Sequence, residues 1–243
     1  VQTCALPISA AAVLHAEHRL LALARAAVSE AQANAAEALA NADRAYITAG
    51  LSANRYMEQV TGFSASLVSS LGGDTIKAAK YANTAMVDMS DNANTFGTAM
   101  EDLQNAYQGF AKQNYTMLDN LKLGYGGTKG EMERLLADAE KITGKKYDLS
   151  NFADVTEAIH AIQTEMGITG TTAKEATETI SGSIDGMQSA ISNLMAGLGN
   201  VNADIGLLIG NVVEAFQNVL KNIIPVIQNI VSVLPAVILW WRG

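Results

Sequence analysis

The sequence predicts an all-α protein, and three observations support that prediction. The 243 residues contain only three prolines, so the residue that breaks helices most strongly is absent between Ile8 and Ile224. The intervening span is rich in strong helix formers such as Ala, Leu, Met, Glu, Gln and Lys. No run shows the sustained apolar/polar alternation that a half-buried strand requires. We therefore expect a string of amphipathic helices joined by short glycine-containing turns, extended or loosely bundled, with an apolar helical segment at the C-terminal end.

The composition narrows the classes of function. The chain has 16 basic and 24 acidic residues, a formal net charge of −8, whereas nucleic-acid binding needs clustered Lys and Arg to displace counterions. We expect no specific nucleic-acid binding. Cys4 is the single cysteine, which excludes an intramolecular disulfide and any multi-cysteine metal site. Aromatic residues make up only 6% of the chain, so we expect helices packed on one another without a deep globular core.

Helix starts are predicted where a Thr is followed three residues later by a Glu. In such a capping box the Thr oxygen accepts a hydrogen bond from a free N–H of the first turn, and the Glu reaches back to the N–H of the Thr. The chain contains three of these boxes, at Thr98 and Glu101, Thr128 and Glu131, and Thr172 and Glu175. They predict helices over 100 to about 121, 132–143, and 173 to about 198.

Other helices are predicted from glycine turns and from polar cap residues. The Gly72-Gly73 turn precedes a helix over 74–89, and Ser150 and Asn151 are candidate caps of a helix over 152–166. An earlier helix is predicted over about 45–60. The glycines that would end helices are Gly124, Gly144 and Gly167.

The helix predicted after residue 173 carries an apolar stripe with helical spacing. Its members are Ile180, Ile184, Met187, Ile191, Leu194, Met195 and Leu198. Such a stripe is typical of a helix that lies against a partner helix, either in the same chain or in another copy. Small residues between its members allow close approach of the two helices.

The segment 201–243 is more apolar than the rest of the chain. Its uncharged stretch 222–241 is about as long as a bilayer span. Polar residues nevertheless form one stripe along the predicted helix, and Pro225 and Pro235 are expected to kink it. A helix with such a stripe is more typical of a bundle seam, an oligomer or a membrane surface than of a simple membrane span. Contact of 205–241 with a membrane therefore stays open. The stripe consists of Asn211, Glu214, Asn218, Lys221, Asn222, Gln228, Asn229 and Ser232.

Four segments are expected along the chain. Residues 1–9, VQTCALPIS, resemble translated sequencing-adapter sequence, so we expect Cys4 and Pro7 not to belong to the protein. Residues 10–45 are an Ala-rich helical stretch that does not continue into the pattern that follows. Residues 46–200 form the main helical region, and 201–243 the apolar segment, which ends without a cap or tail. We expect the sequence to be an internal fragment of a longer protein.

Three groups of residues partly match known metal-binding or phosphate-binding motifs, but none of them matches completely. Glu157 and His160 have the Glu-x-x-His spacing of di-iron bundles, but no second such pair exists. His15 and His18 lack the His-Glu-x-x-His order of metalloproteases. The glycine-rich stretch 124–130 lacks the order of a phosphate-binding loop and is explained by a helix-to-helix turn. We expect no catalytic, cofactor-binding or metal-binding site, and no enzyme.

Three long phrases between Tyr46 and about Asn200 carry a resemblance. They are AYITAGLSANRYMEQVTGFSASLVSSLGGDTIKAAKYANTAMVDMSDNAN, FGTAMEDLQNAYQGFAKQNYTMLDNLKLGYGGTKGEMERLLADAEKITG and YDLSNFADVTEAIHAIQTEMGITGTTAKEATETISGSIDGMQSAISNLM. This region resembles the core of phage tail tape measure proteins. The likeness runs through turns as well as helices, so it is more specific than a general helical composition.

The resemblance implies a structural protein in the lumen of the tail tube of a long-tailed phage or prophage, made in the cytoplasm of the bacterial host. Such a protein sets tail length and acts in tail assembly. Its partners would be the tail tube protein, tail assembly chaperones and the initiator proteins of the baseplate or tail tip, with self-association through coiled-coil packing. During genome ejection its apolar segments would meet the host inner membrane.

Two alternatives remain beside that hypothesis. The apolar stretch 205–241 is also compatible with a membrane-active, pore-forming helical protein. An enzyme is the second alternative, since some tape measure proteins carry peptidoglycan-cleaving domains elsewhere in the chain. Within these residues no convincing acid/base pair can be named.

Overall fold

The computed structural model describes residues 36–241 and five isolated residues before them (19, 21, 22, 25 and 29), with side chains described up to residue 232. The segment 1–9 and the histidines His15 and His18 lie outside the described residues. Within the described part there is no strand, so the all-α prediction is confirmed. The elements are α1 (described over 36–48), α2 (Ala53–Ser70), α3 (Thr75–Phe96), α4 (Met100–Phe110), a 3-10 turn (Leu118–Leu121), α5 (Lys129–Thr143), α6 (Phe152–Glu165), α7 (Thr171–Glu178), α8 (Ile180–Leu198) and α9 (Ile205–Trp241).

Helices α1 to α6, which we call the bundle, surround one apolar core. All of its buried members lie between Ala42 and Ile168, so the expectation that the chain lacks a deep core is wrong. The few aromatic residues of the chain are concentrated there. Phe63 meets Phe152 edge to face with 6.3 Å between ring centroids, and Phe110 stacks on Tyr115 at 6.1 Å. Concentrating large rings at one place lets a chain with few of them fill a core.

Several helix ends follow the local rules that predicted them. Thr128 accepts a hydrogen bond from the N–H of Glu131 at 3.2 Å, and Asn151 caps α6. Asp74 caps α3 through the N–H of Lys77. Gly144, at φ 72°, ends α5 in the left-handed region that glycine adopts without strain.

The predicted helix over 100 to about 121 is shorter than expected, and its capping box does not form. Helix α4 ends at Phe110 because the chain reverses at Gln113, which has a φ of 58°. The N–H of Asn114 then bonds to the carbonyl of Gly109 at 2.9 Å. The Thr98 hydroxyl donates to the carbonyl oxygen of Asn120 at 3.2 Å, on the 3-10 turn, so it joins two elements and caps neither.

The predicted helix over 173 to about 198 is two helices. The backbone is extended at Thr179 (φ −116°, ψ 154°), and the hydroxyl of this residue accepts a hydrogen bond from the N–H of Gly182 at 3.0 Å, which starts α8. Thr172 lies inside α7 and does not cap it, because the helix already begins after Gly170. The Thr172 box is therefore also wrong.

The remaining differences lie at the ends of helices. The predicted helix over 45–60 is interrupted at Gly50, whose φ of 63° places it in the left-handed region, and α2 begins only at Ala53. Helix α3 continues past residue 89 until Gly97 ends it. Gly124 is left-handed but follows a 3-10 turn that already ends at Lys122.

Candidate functional site

Helices α8 and α9 form an antiparallel hairpin, and with α7 they make a unit that we call the arm. Three pairs of positions define the register of the hairpin. Gly197 lies against Leu208 near the connection, Ala190 and Ala215 share one small buried cluster, and Asn222 donates a hydrogen bond to the carbonyl of Thr179 at 2.9 Å. The two helices are therefore in contact along the whole of α8.

The buried face of α8 consists of small residues. Its buried positions are Ser183, Gly186, Ala190, Asn193 and Gly197, spaced alternately by three and four residues. A Cβ atom at Gly197 would overlap the side chain of Leu208, which shows how closely α9 approaches. The predicted apolar stripe flanks this face: four of its seven members are half-buried, and Met187 packs against the cluster of Ala190 and Ala215, whereas Ile191, Met195 and Leu198 are exposed. The prediction is therefore correct in part: small side chains occupy the centre of the contact because close approach of two helices selects them there.

Some members of the predicted polar stripe of α9 form hydrogen bonds to other helices, and others are exposed to solvent. Asn211 is buried and donates to the carbonyl of Asp43 at 3.4 Å, while Asn222 donates to α7 and to the start of α8. Glu214 accepts a hydrogen bond from the Tyr46 hydroxyl at 3.2 Å. Part of the stripe therefore contacts protein, and large apolar side chains remain on the outside.

That outside face has a strict heptad pattern. Apolar residues alternate at spacings of four and three, the repeat of a helix that packs lengthwise against another helix. We call these positions the seam; apart from Ile223, which is half-buried, they are each between 39% and 53% exposed. The seam consists of Ile209, Val213, Phe216, Leu220, Ile223, Ile227 and Ile230.

Beyond the end of the hairpin, α9 stands free of the other described elements. Every residue from Ile224 to Ser232 is exposed. With 37 residues α9 is about 55 Å long. A contiguous row of exposed apolar side chains along a helix is a surface of the kind that marks interaction sites. Among the described residues, no helix is both long enough and apolar enough to cross a membrane.

The structure separates Glu157 and His160 by giving each its own partners. Glu157 accepts hydrogen bonds from the Tyr81 hydroxyl at 2.7 Å and from Lys145 Nζ at 2.6 Å. Partial burial acts to raise the pKa of Glu157, but these two donors outweigh it and lower the pKa. His160 Nδ1 is hydrogen-bonded to Asp88 Oδ1 at 2.8 Å. No group of three metal-ligating side chains occurs within the part of the chain that the structure describes.

The glycine-rich stretch 124–130 is a turn between helices, as expected. Its amide at Gly126 donates to Glu131 Oε2 at 3.1 Å, and the guanidinium of Arg134 donates to the carbonyl of Gly124 at 2.8 Å. The same guanidinium lies 4.2 Å from the ring centroid of Tyr125. The turn is thus held by side chains of its own following helix.

A buried polar cluster inside the bundle was missed by the sequence analysis. Asp88 and Asn92 on α3, Tyr107 on α4 and Gln163 on α6 are all almost fully buried, next to His160. Burial raises the pKa of Asp88 to about 6 even though the hydrogen bond with His160 lowers it, and the same bond raises the pKa of His160. The available signal was the helical period of α3, which places Asp88 and Asn92 among apolar core positions.

Comparison of the chain with models of protein families, with curated proteins and with solved structures finds no match.

Proposed function

We propose that the chain is part of a phage tail tape measure protein, a structural and non-catalytic component of the tail tube lumen. The phrases between Tyr46 and about Asn200 that resemble this family support the proposal. The observation that carries it on the structural side is α9, a single helix of 37 residues with an apolar seam exposed along its described length.

A molecular ruler needs a stiff element whose length grows in proportion to its residues, and an α-helix adds about 1.5 Å per residue. A long helix alone in water is only marginally stable, so its seam needs a partner. The regular heptad suits the same seam of another copy. β-Branched Ile occupies three of the four described d positions (209, 223 and 230), with Leu220 among the a positions, a pattern that favours three or four strands over two.

The bundle has a different proposed role. Residues 53–165 fold back on themselves around a core, so their length in space does not grow with residue number. We assign the bundle to assembly, as the part that contacts the tail assembly chaperones, the tail tube protein or the initiator proteins of the baseplate or tail tip. The spacer role is assigned to α9.

Tail length in the encoding phage or prophage tests the spacer role. Duplicating residues 206–233 in frame adds four heptads and keeps the heptad register of the seam, with Gly206 of the second copy at one seam position. Tails measured by electron microscopy are expected to lengthen by about 42 Å if α9 lies along the tube. A deletion of 98–144 would be a poor test, because it removes core residues such as Leu103, Phe110 and Leu135.

The matched control is the same duplication with Ile227 and its duplicate replaced by Ser, which keeps the added length but interrupts the seam. Tails of unchanged length with the intact duplication would contradict the spacer role. Longer tails from the first variant and aberrant or absent tails from the second would support a spacer that acts through seam packing.

A membrane-active protein is the second candidate, favoured by the free apolar end of α9. The expected setting would be the host inner membrane during genome ejection, with 205–241 lying on or entering the bilayer. Dye leakage from liposomes compares the full chain with a variant that carries Ser at Ile227 and Ile230. Leakage that depends on these residues at low protein concentration would favour this function, and no leakage would leave the structural role as the better proposal.

A further inference from the structure

Helix α7 begins without a cap of its own. Its N-cap residue is Gly170, which has no side chain to accept hydrogen bonds from the first turn. The fully buried carboxylate of Asp91, on α3 of the bundle, supplies them instead. Its Oδ2 accepts from the N–H of Gly170 at 2.6 Å and its Oδ1 from the N–H of Thr172 at 2.8 Å. The bundle therefore caps the first helix of the arm.

Helix α2 of the bundle has the reciprocal arrangement. Its N-cap residue Ser52 makes no side-chain cap hydrogen bond. The N–H of Ala53 donates to Oδ1 of Asn193 at 2.7 Å, and Asn193 is a buried residue of α8. The arm therefore caps a helix of the bundle. We call Asp91 and Asn193 together the latch.

Among the described residues, apolar contact between the arm and the rest of the chain is smaller than the core of the bundle. The main core ends at Ile168, and the separate cluster at the contact has four buried members, Tyr46 and Ile47 on α1 and Ala190 and Ala215 on the arm, with Ala173, Met187 and Val212 half-buried against them. Two of the four are alanines, which bury little area. Because hydrophobic stabilisation scales with the apolar area removed from water, hydrogen bonds contribute an unusually large share at this contact.

The connection between bundle and arm contains two glycines in the left-handed region. Gly167 has a φ of 70° and Gly170 a φ of 88°. Glycine changes between conformations at lower cost than other residues, so a short segment with two of them can absorb a change in direction.

We propose that the arm is a separable module that swings away from the folded bundle about residues 167–170, with the latch as the contact that opens. The hydrogen bonds of Glu214 with Tyr46 and of Asn211 with the carbonyl of Asp43, which join α9 to α1, open with it. Opening removes the caps of α2 and α7 in one event, because each module holds the cap of the other. The two caps are therefore coupled, and the latch closes as a unit. This inference does not depend on the proposed function.

Hydrogen exchange on the full, unmodified chain gives the first test. The amides of Ala53, Gly170 and Thr172 are distant in sequence but are freed by the same opening. After correction for intrinsic rates, we expect the three to share one protection factor, at least about tenfold lower than that of the core amides of α6. Three unrelated values, or values equal to those of α6, would overturn the proposal.

Two variants test the coupling directly. Asp91→Ala is expected to raise exchange at Ala53 about tenfold, although Asp91 does not contact that amide, and Asn193→Ala is expected to do the same at Thr172. Asp74→Ala is the matched control, since Asp74 caps α3 through its own helix at Lys77. It should leave both amides unchanged. Effects confined to the amides that each side chain touches would show independent caps and contradict the latch.

Discussion

The bundle and the arm bury opposite kinds of side chain. In the bundle, large residues such as Phe63, Phe110 and Leu135 point inward and are almost fully buried. In the arm, Gly, Ser, Ala and Asn form much of the helix contact while Ile, Leu, Phe and Met remain on the surface. Apolar periodicity predicts that a segment is helical, but it does not identify the face that packs when a second face is lined by small residues.

The largest expected effect comes from the bundle core. Leu135→Ala removes a side chain with no exposed surface and leaves a cavity, so we expect a loss of about 2–5 kcal/mol in the free energy of unfolding. Denaturant unfolding followed by circular dichroism measures it. Leu220→Ala on the seam is the control, for which a similar loss in the monomer would contradict the contrast between the two regions.

The close contacts of the arm predict the next effect. A Cβ atom at Gly182 would lie 2.5 Å from the carbonyl oxygen of Glu175, so Gly182→Ala must displace α7 from α8. We expect a cost of about 1–3 kcal/mol. Gly210→Ala, on α9 with open space around it, should instead stabilise the helix by up to about 1 kcal/mol. If both variants behaved alike, small residues would not be the packing face of the arm.

A smaller effect is expected on the pH dependence of stability, and it arises from two side chains of the bundle, Asp88 and His160. Burial raises the pKa of Asp88 to about 6, and the hydrogen bond with Asp88 raises the pKa of His160, so the folded chain binds more protons than the unfolded chain. The contribution of this pair to the free energy of unfolding is fully present below the ordinary pKa values of Asp and His, and it is lost as pH rises through the raised pKa values of Asp88 and His160. We expect the free energy of unfolding to fall as pH rises from about 4 through about 6, where Asp88 titrates, and to fall further above the ordinary pKa of His160.

Asp88→Asn provides the control for that pH dependence, because it keeps the shape of the side chain and removes its charge. Its unfolding free energy should vary less over the same interval. Surface carboxylates whose pKa values are lowered, such as Asp74 and Asp138, lose their contribution only at lower pH and do not mask the effect. A wild-type profile that rises with pH would contradict the assignment.

The smallest expected effect on the stability of the monomer is at the seam. Ile227→Ser changes a side chain that is 52% exposed, so the free energy of unfolding should change by no more than about 0.5 kcal/mol. Self-association, followed by analytical ultracentrifugation over a range of concentrations, should weaken. Gln228→Ser, one position away from the seam, is the matched control. Equal self-association in both variants would argue against the seam as the contact between copies.

The sequence predicts features whose cause lies within a few residues. Asp74, Thr128 and Asn151 cap the helices that follow them; local patterns predict Thr128 and Asn151 as caps, and the Gly72-Gly73 turn predicts a helix start at Asp74. Asp91 and Asn193 cap helices that lie far away in the sequence, so no local pattern indicates them. The buried core was underestimated for a related reason: a low aromatic content does not show whether the few rings gather at one place.

At Thr98 and Thr172 the capping boxes do not form, because tertiary contacts override the local pattern. Both Thr residues lie in a correct local pattern, yet the Thr98 hydroxyl bonds to another element and α7 already has a cap from α3. Tertiary partners compete with local ones for each hydroxyl and each N–H. The seam does not stand out in the sequence, because exposed apolar residues outside it, such as Leu207, Ile224 and Val231, obscure its heptad period.

The arrangement of the two modules has a mechanical consequence. A pulling force applied between the bundle and the far end of α9 is transmitted through the short segment 167–170 and across the hydrogen bonds that join the two modules, those of Asp91 and Asn193 and those of Glu214 and Asn211 with α1. The bundle core lies outside that line of tension. The arm would therefore extend at low force while the bundle stays folded, so that a chain under tension gains length in one step before it begins to unravel.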